Sequence, residues 1–281
     1  MEKRTELLRV HPAARAVVLI VHGMGEYAER YGWLVDQLYH AQYTVWVGDL
    51  PGHGGFGILG HLEDFREYLL VLENDLLRLQ TQFPKLPIIL FGHSMGGLIV
   101  LRYLQELQKP TALSAVTLSS PALDVAIPIS KSTLRLAGVL SSTMPRLRLS
   151  TRIQAKDVTR NLEIQHAYTN EQRVLKKASV RFLHEFFKAM DTCRRKDIKL
   201  EIPVLWMQAG ADRVVSVIAS RAGFERLQAA DKTYREYSDC YHELFNEPNR
   251  MEIFHDWLRW LEEHIPGDQI HRETYPSPLP S

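Results

Sequence analysis

Residues Gly92-His93-Ser94-Met95-Gly96-Gly97 follow the apolar, β-prone run Pro87 to Phe91 and precede the helix-prone run Leu98 to Leu107. A serine in the frame Gly-x-Ser-x-Gly, set between a strand and a helix, demands a sharp and strained turn. The small neighbours Gly92 and Gly96 let the backbone double back on itself. Such a turn exposes Ser94 at the C-terminal edge of a parallel sheet, beside the positive end of the following helix, where developing negative charge is stabilised. A parallel sheet in turn requires long helical crossovers between its strands.

The rest of the chain supplies them. From residue 15 short apolar strands alternate with amphipathic helices, the pattern of a mostly parallel sheet covered on both faces, and the fold class is α/β. Ala16 to Val21, Tyr43 to Val47, Pro87 to Phe91, Leu113 to Ser119, Pro203 to Gln208 and Thr233 to Tyr237 read as strands. Helices are expected over Arg30 to Ala41, Glu63 to Gln82, Val217 to Ala229 and Met251 to His264. In the second of these, Phe65, Leu69, Leu72, Leu76 and Leu79 mark a buried stripe at spacings of four and three. Between Pro121 and about Glu201 the alternation stops, and helices and loops take over. The expected organisation is therefore a core of residues 1–120 and 201–265, a helical cap inserted at 121–200, and a flexible proline-rich tail over 266–281.

Composition narrows the function classes. A formal net charge of +1 over 281 residues gives no field for nucleic acid. Two cysteines, Cys193 and Cys240, suggest neither a disulfide framework nor a metal site. The charged start and the short first apolar run read as neither a signal peptide nor a membrane span, so a cytoplasmic protein is expected.

A serine hydroxyl needs a base to take its proton, and the base needs a third group to fix its tautomer. In an architecture of this kind the order along the chain is serine, acid, histidine. Asp212 follows the strand ending at Gln208 through Ala209-Gly210-Ala211 and is the expected acid; Asp231 and Asp239 compete for the role. His242, after the last strand, is the expected base. His255 and His264 fall on the closing helix, and His93 reads as a filler of the elbow. Two backbone N–H groups should face the oxyanion: Met95, next to the nucleophile, and Met24, in the turn His22-Gly23-Met24-Gly25 after the first strand. No metal and no organic cofactor are required.

With these residues in place the chain resembles the α/β-hydrolase superfamily, and more closely its monoglyceride lipase and lysophospholipase group. The resemblance rests on His22-Gly23-Met24-Gly25-Glu26 with Arg30-Tyr31, on Asp49-Leu50-Pro51-Gly52-His53-Gly54, and on Phe65 and Tyr68. It rests equally on the Ser94 turn, on Gly210-Ala211-Asp212-Arg213-Val214-Val215 and on Tyr241-His242-Glu243-Leu244. It implies a Ser94–His242–Asp212 triad, hydrolysis of lipid esters through an acyl-enzyme, and a cap over an apolar acyl site, with Gly23, Leu140 and Met144 expected at the substrate. The chain departs from the group's pattern after Gly54, where Gly55 to His61 is shorter and more apolar, and at Tyr168 to Gln172. Monoglyceride, lysophospholipid, simple ester and thioester therefore stay open as substrates. A proline-type aminopeptidase would want converging cap carboxylates, for which Glu163, Glu171 and Glu185 are available. A non-catalytic binder predicts a lost triad or oxyanion element.

The cap itself is apolar for a surface insertion. Leu134, Leu136, Val139, Leu140, Met144, Leu147 and Leu149 alternate with Arg135, Arg146, Arg148 and Arg152. Two readings follow: these residues pack the cap onto the core, or they form a basic, apolar lid for peripheral contact with an anionic membrane or micelle.

Overall fold

A computed structural model describes residues 4–106 and 113–265. The tail over 266–281 lies outside the described residues. The central sheet has seven strands: β1 (Glu6–Arg9), β2 (Ala16–Val21), β3 (Tyr43–Gly48), β4 (Ile88–His93), β5 (Leu113–Ser119), β9 (Val204–Ala209) and β11 (Lys232–Tyr237). Their spatial order is β1-β3-β2-β4-β5-β9-β11, and every pair is parallel except β1 with β3. Every residue of β2, β3, β4 and β9 is buried. Burial on both faces explains why these strands read as largely apolar rather than alternating.

The covering helices are α1 (Gly32–His40), α2 (Arg66–Gln82), α3 (Met95–Glu106), α8 (Val217–Arg226) and α9 (Arg250–His264). Helices α1 and α9 close one face around Leu34, Leu38, Phe91, Ile253 and Trp257. Helices α2 and α3 close the other around Leu72, Leu76, Leu98, Leu101 and Trp206. The striped face of α2 is buried as its spacing requires, at Tyr68, Leu69, Leu72, Leu76 and Leu79.

Between β5 and β9 stand α4 (Lys131–Thr143), β6 (Arg148–Ser150), α5 (Ala155–Val158), α6 (Leu162–Asn170), β7 (Lys177–Ser179), α7 (Val180–Arg195) and β8 (Lys199–Leu200). Side-chain caps start three of these helices: Ser130 accepts from the Thr133 N–H, Asn161 from Glu163 and Ile164, and Ser179 from Phe182. Strands β6 and β7 pair antiparallel, and β8 pairs parallel with β10 (Gln228–Ala229).

Of the boundaries that differ from the sequence reading, three have a visible cause. The first helix opens with a 3-10 turn, Ala28–Tyr31, before α1. Helix α2 starts at Arg66, because the Glu67 carboxylate takes the N–H groups of Glu63 and Asp64 and holds them in a turn. Helix α8 stops at Arg226, since Gln228 and Ala229 are drawn into pairing with β8. No helix among the described residues is long and apolar enough to cross a membrane.

Candidate active site

Strand β4 ends at His93 and α3 begins at Met95, which leaves Ser94 to turn the chain by itself. It does so at φ 53°, in the left-handed region, where a side chain costs about 1–3 kcal/mol. The Ser94 N–H donates to the Ser119 carbonyl (3.0 Å), and the Ser94 carbonyl accepts from Leu98 (3.1 Å) and Ala122 (2.9 Å). A Cβ on Gly96 would stand 2.0 Å from the Val21 carbonyl oxygen. Only glycine permits the elbow to pack this closely against the end of β2.

Ser94 is 7% exposed, and its Oγ lies 2.8 Å from His242 Nε2. On the other side of the ring, His242 Nδ1 is 2.7 Å from Asp212 Oδ2. An ionised carboxylate only accepts, so Nδ1 carries the proton and Nε2 is left to accept from the serine hydroxyl. Asp212 is aimed by its own turn: its Oδ1 accepts from the Val214 (2.8 Å) and Val215 (2.9 Å) N–H groups. Burial would lower the His242 pKa, but the Asp212 charge and hydrogen bond outweigh it and hold the imidazole above its ordinary value.

The turn after β2 faces the same serine. His22 Nδ1 donates to the Gly23 carbonyl (2.8 Å), and its Nε2 accepts from the Leu50 N–H (2.9 Å), tying this turn to the one after β3. Glu26 reaches back to accept the Gly23 N–H at 2.7 Å. That commits Gly23 and leaves Met24 as the next amide along the turn. Gly23 instead offers space, because a Cβ there would come within 3.2 Å of Ser94 Cβ. Met95 supplies the first amide of α3, one of the helix-start donors without an intrahelical acceptor.

Behind these groups lies a buried ionic cluster to which the sequence reading gave no role. Arg30 contacts Glu26 at 3.3 Å and Glu243, the neighbour of His242, at 2.7 Å; all three side chains are less than a tenth exposed. Tyr31 also donates to Glu26 (2.7 Å). Burial pushes the Glu26 carboxyl up, yet His93, Arg30 and the Tyr31 hydroxyl together bring it down to about 2. For Glu243 burial outweighs Arg30 and the group is raised. His93 packs its ring 4.8 Å from that of His242, and burial brings its pKa down to about 4, so no second cation competes beside the imidazole. The i, i+4 spacing of Glu26 and Arg30 was a signal available in sequence; their partner Glu243 had none.

The competing residues stand elsewhere. Asp231 pairs with His264 (3.5 Å), Asp239 is exposed, and His255 points outward from α9. Leu140 and Met144 lie at the C-terminal end of α4, where the Met144 N–H donates to the Leu140 carbonyl (2.7 Å). Met144 is 54% exposed, on the cap surface. Glu171 is tied to Tyr27 (2.8 Å) and Arg173, and Glu185 to Lys188, so neither carboxylate is unpaired.

Known proteins share this fold and much of this sequence. The family model described as "Serine aminopeptidase, S33" matches residues 12–249. The chain is 32% identical over 252 residues to Phospholipase YtpA of Bacillus subtilis, covering 89% of this chain and 96% of that one. It is 30% identical over 263 residues to the monoacylglycerol lipase of Mycolicibacterium smegmatis, covering 89% of each. Among solved structures, the monoacylglycerol lipase of Paleococcus ferrophilus superposes with a TM-score of 0.84 at 31% identity, covering 93% of this chain and 99% of that one.

Proposed function

The chain belongs to the serine aminopeptidase S33 family of α/β-hydrolases, and from that membership we propose that it is a lipid esterase whose preferred substrate is a monoacylglycerol. The observation that carries this reading is the hydrogen-bonded line from Ser94 Oγ through His242 to Asp212, at 2.8 and 2.7 Å. Ser94 attacks the ester carbonyl as His242 Nε2 takes its proton. The imidazolium formed is stabilised by Asp212. Negative charge on the carbonyl oxygen falls to the Met24 and Met95 amides, a type of contact worth about 10²–10³ in rate per donor. His242 returns the proton to the departing glycerol oxygen, and water, activated by the same base, releases the fatty acid from Ser94.

The named relatives and the exposed surface of the cap support this substrate class. Leu136, Val139, Met144, Leu147 and Leu149 are all exposed, with Arg135, Arg146 and Arg148 exposed among them. This surface suits peripheral docking on an anionic lipid layer, from which Leu140 and Met144 would guide an acyl chain inward. A lysophospholipid is the second reading, favoured by the 32% identity to a phospholipase. An aminopeptidase role is less favoured, because Glu171 and Glu185 are already paired.

The test is hydrolysis of a monoacylglycerol, a lysophosphatidylcholine, a short p-nitrophenyl ester and a prolyl amide by the wild-type chain and by Ser94→Ala. Fatty acid release is expected to be fastest from the monoacylglycerol and to vanish in Ser94→Ala. Faster cleavage of the lysophospholipid would replace the leading substrate with the second. Cleavage of the amide alone would overturn the esterase reading.

A further inference from the structure

His242 sits in a loop whose regular structure is limited to a 3-10 turn, Leu244–Asn246. A general base on such a loop keeps its alignment only if something outside the loop holds it. From the core, Asp212 holds the ring itself (2.7 Å), the Ala211 N–H donates to the Cys240 carbonyl (3.0 Å), and Arg30 meets Glu243 at 2.7 Å. Further anchors come from the cap, through three consecutive residues, the last of α5 and the two that follow it.

The Val158 carbonyl accepts the Glu243 N–H (2.8 Å). The Thr159 hydroxyl donates to the Asn246 carbonyl (2.7 Å). Arg160 does most. Its backbone N–H donates to Glu247 Oε1 (2.8 Å), and its Nε donates to Glu247 Oε2 (2.5 Å). Its terminal nitrogen reaches Asn249 Oδ1 (3.2 Å) and Cys240 Sγ (3.8 Å). The Glu247 side chain is fully buried, and Arg160 is its only ionic partner among the described residues. A buried carboxylate deprived of its counter-charge must protonate or move. Either event disturbs the segment between Cys240 and Asn249, and His242 lies in it.

We propose that Arg160, a residue of the cap, is a positioning residue for His242, so that the base is aligned only while the cap is seated on the histidine loop. The inference rests on the esterase reading and deepens it. The cap then has two parts with different duties. The α4 end offers an exposed apolar surface, while the Val158-Thr159-Arg160 end is locked to the catalytic loop. Displacing the locked end would switch the base off.

The loop carries its own reporter. Cys240 is buried, two residues before His242, and its sulfur faces the Arg160 guanidinium. Its alkylation by iodoacetamide, read by peptide mass, measures loosening of the loop without reference to catalysis, and buried Cys193 serves as internal control. The experiment compares wild type, Arg160→Gln, Arg160→Lys and Glu247→Gln in the full chain, using a short soluble p-nitrophenyl ester. For Arg160→Gln, Cys240 should react at least about tenfold faster with Cys193 unchanged. In the same variant kcat should fall roughly 10- to 100-fold with KM nearly constant, the scale expected when a reacting group is misplaced by about an ångström. Fluorophosphonate labelling of Ser94 should slow in parallel. Arg160→Lys keeps a charge opposite Glu247 and should fall between the two. Should Arg160→Gln lose its native circular dichroism, Arg160→Lys and Glu247→Gln carry the comparison.

An unchanged kcat with Cys240 exposed, or an unchanged Cys240 rate, would overturn the proposal and leave the esterase reading intact. A wild-type chain that hydrolyses no ester and resists the fluorophosphonate would remove the esterase reading, and this inference with it.

Discussion

Asp212 and His242 show how much chemistry is decided by where one carboxylate points. The imidazole is held above its ordinary value by Asp212 against the opposing pull of burial. His242 must be neutral to accept the Ser94 proton, so activity is lost as pH falls through this raised pKa. The acid limb of kcat/KM should therefore have its midpoint above about 6.5. In Asp212→Asn the raising cause is removed and burial remains, so the midpoint should move to lower pH while the rate drops by about 10⁴. A pH–rate profile of both proteins checks this, and a midpoint that stays in place would remove Asp212 from the role. The three residues were readable in sequence because each follows a strand end in the order the architecture requires. The ionic supports were not. Arg30 and Glu243 are 213 positions apart, and Arg160 and Glu247 are 87 apart. An ion pair at such separations leaves no periodicity for a sequence reading to find.

Among the elements, the inner sheet strands announced themselves by apolar runs, and α2 by its stripe. Strand β1 was missed because Glu6-Leu-Leu-Arg9 is short, half-exposed and defined by pairing with β3 rather than by its own pattern. The short cap strands β6 and β7 exist for the same reason. The apolar residues of the cap were legible in sequence, but their placing on one helix, α4, and their exposure could only be learned from the fold: Leu136 and Val139 are 59% and 62% exposed. If this face docks on lipid, Leu136→Glu with Val139→Glu should cut cosedimentation with anionic vesicles about tenfold or more, through lost apolar burial and added repulsion. Hydrolysis of a soluble ester should stay within about twofold, because the histidine loop is held from the other end of the cap. Equal loss of both activities would place α4 in the catalytic frame rather than at a surface.

For the molecule as a whole, the two outer strands and the cap treat contact with other molecules in opposite ways. Edge strand β11 carries Lys232, Arg235 and Glu236; Arg235 pairs with Asp256 and Glu236 with Arg221, while Lys232 Nζ donates to the carbonyls of Phe224, Glu225 and Leu227 at the end of α8. Edge strand β1 is flanked by the pairs Glu6–Arg78 and Arg9–Asp36. Charge along an open edge discourages sheet-to-sheet addition. Other exposed apolar side chains stand in smaller sets, Leu70 and Leu77 on α2, Ile218 on α8 and Met251 on α9. Among the described residues the cap then offers the main adhesive face, and in water without lipid each molecule is expected to behave as a particle of valence one. Particles of valence one pair and stop, whereas chains and fibres need two. Sedimentation velocity at rising concentration should show monomer passing to dimer and no further, with mild detergent returning the monomer; a ladder of higher species would reveal a second adhesive face.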